Sequence, residues 1–284
     1  MIVQLDAPSR LLSAALLAVT MSLVPLTAAS AQTAMPASGE VAEILRKGFA
    51  DFQLKTVTAD GVSIGYRVAG DGPVVVLIHG FPESGYEWRG IAGELVKTNR
   101  VVVPDYRGAY GSSKPETGYD KATMARDIHG VMVAEGVATA HVVGHDIGMP
   151  IAYAYARQYP GETTTLSLLD GIVPGTAAYQ AVVASGNAWH FGFSTEVDFA
   201  TKLLTGREDL YVDRIFDNFT VVKTAITSDQ RAFYITALRV PGALAASLKT
   251  YAAFAQDAKQ NQTWLGVEGM LRMPVLVAGG EASL

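Results

Sequence analysis

The stretch that most constrains this chain is Ala140-His141-Val142-Val143-Gly144-His145-Asp146-Ile147-Gly148-Met149-Pro150. An apolar run ends in Gly-x-Asp-x-Gly, and a small-residue helical pattern from Ile151 to Tyr159 begins at once. That layout predicts a strand-to-helix turn so sharp that its central side chain is pushed out above a sheet, a nucleophile elbow. Glycines flank the centre because such a turn leaves no room for a Cβ. Serine is the usual occupant of the centre; here it is Asp146. A carboxyl with an unperturbed pKa of ~3.9 is already ionised at neutral pH and needs no base to attack. It is a poor acyl-transfer nucleophile, because its product would be an anhydride. Displacement at a saturated carbon suits it, and leaves an alkyl ester that water must then split. Epoxides and alkyl halides fit that chemistry.

The rest of the chain reads as a frame for this turn. Phe52 to Thr58 and Val62 to Val68, joined by Ala59-Asp60-Gly61, predict a β-hairpin, since Asp-Gly suits its turn. Pro73 to Ile78 is a continuous apolar run, as expected of a parallel strand buried on both faces. Similar runs lie at Arg100 to Pro104, Ala140 to Gly144, Thr165 to Asp170 and Pro274 to Ala278. Helical patterns at Trp88 to Thr98, Tyr119 to Gly136 and Pro150 to Tyr159 separate the earlier ones. Strands alternating with helices predict an α/β fold with a doubly wound, mostly parallel sheet. The rhythm breaks from about Gly171 to Arg272, where the segments are helical and rich in Ala, Phe and Tyr. The expected division is therefore a core of residues 32–171 and 272–284 with a helical cap at 172–271. Thr195 and Asp198 fit a capping box within that cap.

Ahead of the core, Arg10, the apolar run Leu11 to Leu26 and Ala29-Ser30-Ala31 before Gln32 read as a secretory signal peptide over residues 1–31. The expectation is a periplasmic or secreted chain. A short helical pattern follows at Val41 to Arg46. There are no cysteines, so stability must come from the core, which a chain 49% hydrophobic can build. The net charge of −5 is spread without acidic or basic blocks, which argues against nucleic acid and anionic membranes as partners. Two Asn-x-Thr matches, at Asn218 and Asn261, read as chance.

His79-Gly80-Phe81-Pro82 follows the first buried strand, where the second oxyanion donor of an elbow-type site lies. The N–H groups of Phe81 and Ile147 are the expected oxyanion hole, with His79 as a buttress of the loop. Together these motifs resemble the α/β-hydrolase fold, and the elbow aspartate resembles its epoxide hydrolase and haloalkane dehalogenase branch. Phe81 in His-Gly-Phe-Pro is the epoxide hydrolase form; dehalogenases usually carry Asn there, and tend to place Trp, or Arg in those acting on fluoroacetate, where this chain has Ile147. The turn Asp105-Tyr-Arg-Gly-Ala-Tyr-Gly-Ser112 extends the likeness. Trp189-His190-Phe191 and Gly206-Arg207-Glu208 are similar to the Cif-type secreted bacterial epoxide hydrolases. That resemblance implies that His190 and Tyr251 hold and protonate the epoxide oxygen. It also implies Asp170 as the acid that orients a catalytic histidine, with Glu281 as the alternative position. On the residues alone, His190 can be a core histidine, Tyr251 one of several cap aromatics, and Asp170 a turn former.

The same resemblance implies a catalytic histidine after the last strand. The five histidines are His79, His129, His141, His145 and His190, all upstream of Val275 to Ala278, and the elbow is expected to turn His145 away. The expectation is thus a C-terminally truncated chain, lacking the last strand and helix, able to form the ester and impaired in hydrolysing it. The alternatives are a haloalkane or haloacid dehalogenase and a non-catalytic truncated product. No metal or organic cofactor is implied, since there is neither a Cys/His cluster nor a phosphate loop. The expected partners are a small-molecule epoxide and water, and a homodimer is admissible.

Overall fold

The computed structural model describes residues 49–281, the side chain of Glu268 apart. The signal peptide expected over 1–31, the pattern at Val41 to Arg46 and the last three residues lie outside them. Seven strands form one sheet in the order β1-β2-β4-β3-β5-β6-β7. Strands β1 (Gln53–Ala59) and β2 (Val62–Ala69) are the expected hairpin, paired antiparallel with Ala59 opposite Val62. Its two-residue turn puts Asp60 at φ +47° and Gly61 at φ +77°, the left-handed pair that an Asp-Gly turn provides. β2 runs antiparallel to β4 (Arg100–Pro104). The remaining strands are parallel: β3 (Val74–Ile78), β4, β5 (Ala140–His145), β6 (Thr163–Leu169) and β7 (Val275–Ala278).

Three helices connect these strands. Trp88 to Thr98, expected as one helix, divides into a 3-10 turn at Gly85–Trp88, capped by the Ser84 hydroxyl, and α1 (Arg89–Leu95). α2 (Lys121–Ala134) starts where the Asp120 carboxylate accepts from the Thr123 N–H. α3 (Gly148–Gln158) leaves the elbow directly. The core sits between sheet and helices: Val76, Leu77, Ile78, Val102, Val142 and Leu166 from strands meet Met124, Ile128, Met132, Ile151 and Tyr155 from α2 and α3. Both faces of β3 are buried, which is why its sequence has no polar alternation.

Between β6 and β7 the described chain is helical: α4 (Ala177–Ser185), α5 (Trp189–Thr195), α6 (Val197–Leu204), α7 (Glu208–Phe219), α8 (Ser228–Leu238), α9 (Ala243–Ala252) and α10 (Phe254–Glu268). The capping box expected at Thr195 and Asp198 is not formed. Thr195 closes α5 and its hydroxyl bonds back to the Gly192 carbonyl, while α6 begins after Glu196 without a side-chain cap. The capping box instead belongs to α8, where Thr227 and Gln230 bond each other's backbone N–H. β7 borders the sheet among the described residues, and Val275, Leu276 and Val277 are exposed there.

Candidate active site

Parallel register brings the chemistry together. Ile78 lies opposite Gly144, His145 opposite Leu169, and Leu169 opposite Ala278, so four strands end level. The loops that leave them carry His79 to Pro82, the elbow, Asp170-Gly171 and Gly279 to Glu281, all at the carboxyl edge where sheets of this kind hold ligands.

At the elbow Asp146 sits at φ +48°, a left-handed conformation that costs an L-residue roughly 1–2 kcal/mol. The turn is tight enough that a Cβ on Gly144 would stand 2.1 Å from the Gly148 carbonyl oxygen, and one on Gly148 2.2 Å from that of Ile78. Neither position admits another residue without moving backbone. The Phe81 N–H donates to Asp146 Oδ1 at 2.9 Å, and the Ile147 N–H also donates to this carboxylate. Both donors named from the sequence therefore converge on Asp146. Burial pushes its carboxyl above the ordinary range, while the charge of His145 and the two N–H groups pull it back.

Four ionisable groups crowd this edge. His145, expected to turn away, lies in the cavity wall with Nδ1 3.2 Å from Glu87 Oε1. The 3-10 turn that carries Glu87 draws the ring over, and Glu87 Oε2 accepts from the Gly80 N–H. Burial opposes protonation of His145, but the bond to Glu87 and the charges of Glu87, Glu83 and Asp146 outweigh it, and its pKa rises to about 10. Glu83 Oε2 is buried with no hydrogen-bond partner among the described residues. Desolvation, with the charges of Glu87 and Asp146, raises Glu83 to about 8. Neither Glu83 nor Glu87 is marked as a member of the site by any sequence motif, although Glu83 follows the Pro82 of the oxyanion loop. His79 is buried, stacks on Tyr106 at 4.0 Å and bonds the Gly80 carbonyl, which is a buttressing role.

Across from the elbow is a cavity of about 1030 Å³. Asp146, Phe81 and Ile147 form its floor; His190, Phe191, Phe216, Phe219 and Phe254 form much of its helical side. His190, on α5, has a buried Nδ1 without a partner among the described residues, and burial lowers its pKa to about 4. It is a neutral imidazole at neutral pH. Tyr251, on α9, is 2% exposed, with its ring 5.2 Å from His190 and 5.5 Å from Phe81. Burial and the charge of Asp146 push its hydroxyl well above the usual range.

Asp170 and Glu281 both line the cavity, and the Gly171 that follows Asp170 packs on the elbow backbone. Asp170 stands at φ +43°, with its N–H bonded to Ala278 O at 2.8 Å, so it also serves as the turn out of β6. Asn261 is buried and its amide donates to the Pro174 carbonyl, a packing role. Among the described residues no cluster of three or more His, Cys, Asp or Glu could hold a metal, and no helix is long and apolar enough to cross a membrane.

The chain is similar to known proteins. A sequence profile of the alpha/beta hydrolase fold matches residues 73–282. A soluble epoxide hydrolase of Corynebacterium sp. (strain C12) is 29% identical over 226 residues, 78% of each chain. A fluoroacetate dehalogenase of Burkholderia sp. is 28% identical over 246 residues, 83% of this chain and 80% of that one. The structure of an epoxide hydrolase, CorEH without ligand, superposes with a TM-score of 0.75 at 28% identity, covering 81% of this chain and 83% of that one.

Proposed function

Because the chain belongs to the alpha/beta hydrolase fold family, we propose, from the nucleophile it presents, that it opens epoxides by forming an ester on Asp146. The observation that carries this reading is an elbow carboxylate sharing a cavity with His190, whose ring packs on that of Tyr251, so that two uncharged proton donors lie together opposite the nucleophile. One Asp146 oxygen attacks a ring carbon, and that carbon's bond to the ring oxygen breaks. The electron pair goes to the ring oxygen, which takes a proton from Tyr251 or His190 as it leaves. The product is a 2-hydroxyalkyl ester of Asp146. Water then adds to the ester carbonyl, whose oxyanion rests on the Phe81 and Ile147 N–H groups. Collapse releases a vicinal diol and restores the carboxylate, and the proton set free in hydrolysis returns to the residue that protonated the ring oxygen.

The second step needs a base for the water, with Asp170 or Glu281 as its orienting acid. Each of the five histidines is engaged elsewhere or placed for the first step: His79 on Gly80, His129 beside Glu162, His141 on Thr165, His145 on Glu87, and His190 among the cap aromatics. For a polypeptide of these 284 residues we therefore expect the ester to persist. Intact-mass spectrometry after addition of styrene oxide tests both halves of the reading. The expected result is a gain of one epoxide mass, located on Asp146 and stable for hours. Folded protein without any adduct would overturn the proposal, and rapid loss of the adduct would overturn the missing base. The fluoroacetate dehalogenase relative supports a second reading, displacement of halide at Asp146. Ile147 and Phe81 weigh against it, since neither gives a halide or carboxylate a polar side chain. The apolar leader at 1–31 supports export, which a mature N-terminus at Gln32 would verify.

A further inference from the structure

Lys121 is a buried lysine that the reaction does not use. It is the first residue of α2, an unfavourable place for a cation because helix N-termini carry positive partial charge. Its side chain is nonetheless 3% exposed, paired with an Asp257 side chain that is also 3% exposed. Lys121 Nζ donates to Asp257 Oδ2 at 2.9 Å, to the Thr250 carbonyl at 2.6 Å and to the Tyr119 carbonyl at 3.2 Å. Its backbone N–H donates to Asp257 Oδ1 at 2.8 Å. Nζ also stands 4.9 Å over the Phe254 ring.

Every one of these cap contacts falls beside Tyr251. Thr250 precedes it in the last turn of α9, where carbonyls lack helical partners, and Lys121 supplies a donor. The Phe254 ring lies 5.4 Å from the Tyr251 ring, and Asp257 sits one turn further along α10. The other end of the clamp is α2, which packs on the sheet. A buried ion pair contributes little net stability over an apolar pair of like volume, so its distinctive property is fixed geometry.

We propose that the Lys121–Asp257 pair is the positioning device for Tyr251, setting the end of α9 against the elbow and so the hydroxyl against the epoxide oxygen. This rests on Tyr251 acting as the proton donor. A double-mutant cycle tests it, reading the rate of ester formation from styrene oxide by intact mass in the full chain, in K121M/D257L, in Y251F and in the combination. Replacing both partners leaves no unpaired buried charge, and a cooperative melt checks that the fold is retained. In the chain that keeps Tyr251, the paired replacement should slow ester formation about 10–100-fold, the scale of a misplaced reacting group. In the Y251F background it should change the rate by less than about twofold, because the two act as one unit. Equal slowing in both backgrounds, or none in either, would overturn the proposal. If the paired variant does not melt cooperatively, K121R takes its place in the same cycle with the same criterion. Absence of ester in the unaltered chain would instead sink the epoxide reading itself.

Discussion

The two sides of the cavity solve opposite electrostatic problems. On the sheet side, Asp146, His145, Glu87 and Glu83 lie close enough to perturb one another, and backbone N–H groups from Gly80, Phe81 and Ile147 bind the carboxylates. On the helical side, His190 and Tyr251 stand among the rings of Phe191, Phe219 and Phe254. Ionisable groups thus cluster where attack begins, and aromatic rings surround the groups that hand over a proton. Burial opposes protonation of both histidines, and only His145 has anions beside it that outweigh burial. His145 is driven up to about 10 and His190 down to about 4. Environments that push like groups apart in this way separate the roles of acid and nucleophile.

That contrast can be broken from either side. The largest effect should come from Asp146→Asn, which removes the attacking charge and should abolish the adduct, a loss of at least about 10⁴-fold in the rate of ester formation. The mass spectrum with styrene oxide reads it directly. On the helical side, Tyr251→Phe and His190→Phe each keep a ring and delete a donor. Each should slow ester formation about 10²–10³-fold, within the range of a positioned acid. If the two share one oxygen, the double variant should lose less than the product of the single losses.

The smallest and most diagnostic effect is on stability against pH. The folded state holds a proton on His145 more tightly than the unfolded chain does. Its contribution is therefore fully present below pH 6.5 and lost as pH rises toward about 10. Glu83 acts in the same direction, since the folded state favours its protonated form and pays for ionisation between pH 4.5 and about 8. His190, lowered to about 4, acts at the other limit: stability falls as pH drops from 6.5 and the unfolded chain takes up a proton first. Melting temperatures from pH 4 to pH 10 should therefore pass through a maximum. Glu83→Gln should flatten the decline between pH 6 and pH 8, and an unchanged slope would show that its carboxyl is not held neutral.

The sheet side was more legible in the sequence than the helical side, for local reasons. Continuous valine runs, the Asp60-Gly61 turn and the Gly144/Gly148 pair each encode their geometry within a few residues. The elbow and the oxyanion donors followed from such stretches. Glu87, His145, Lys121 and Asp257 did not, because their roles come from partners 58 and 136 residues away. A lysine at the start of a helix and a glutamate on a short 3-10 turn read as surface residues until the chain folds. The capping box failed at Thr195 and succeeded at Thr227 for a similar reason. Thr227-Ser-Asp-Gln230 carries the full pattern with Gln at its fourth position, whereas Thr195 is consumed by the helix before it.

The Nδ1 of His190, without a partner among the described residues, has a bearing on how ligands can be found. A buried polar atom without a hydrogen bond costs the folded state about 1–3 kcal/mol, and that cost is removed by a ligand that turns the His190 ring toward the cavity and offers it a matching polar atom. Binding to the folded form alone raises the melting temperature in proportion to the logarithm of ligand concentration. Uncharged oxygen compounds with an apolar body should therefore register as thermal shifts even where no bond is made or broken. The heat resistance of the protein becomes a reporter of what its cavity is shaped to accept.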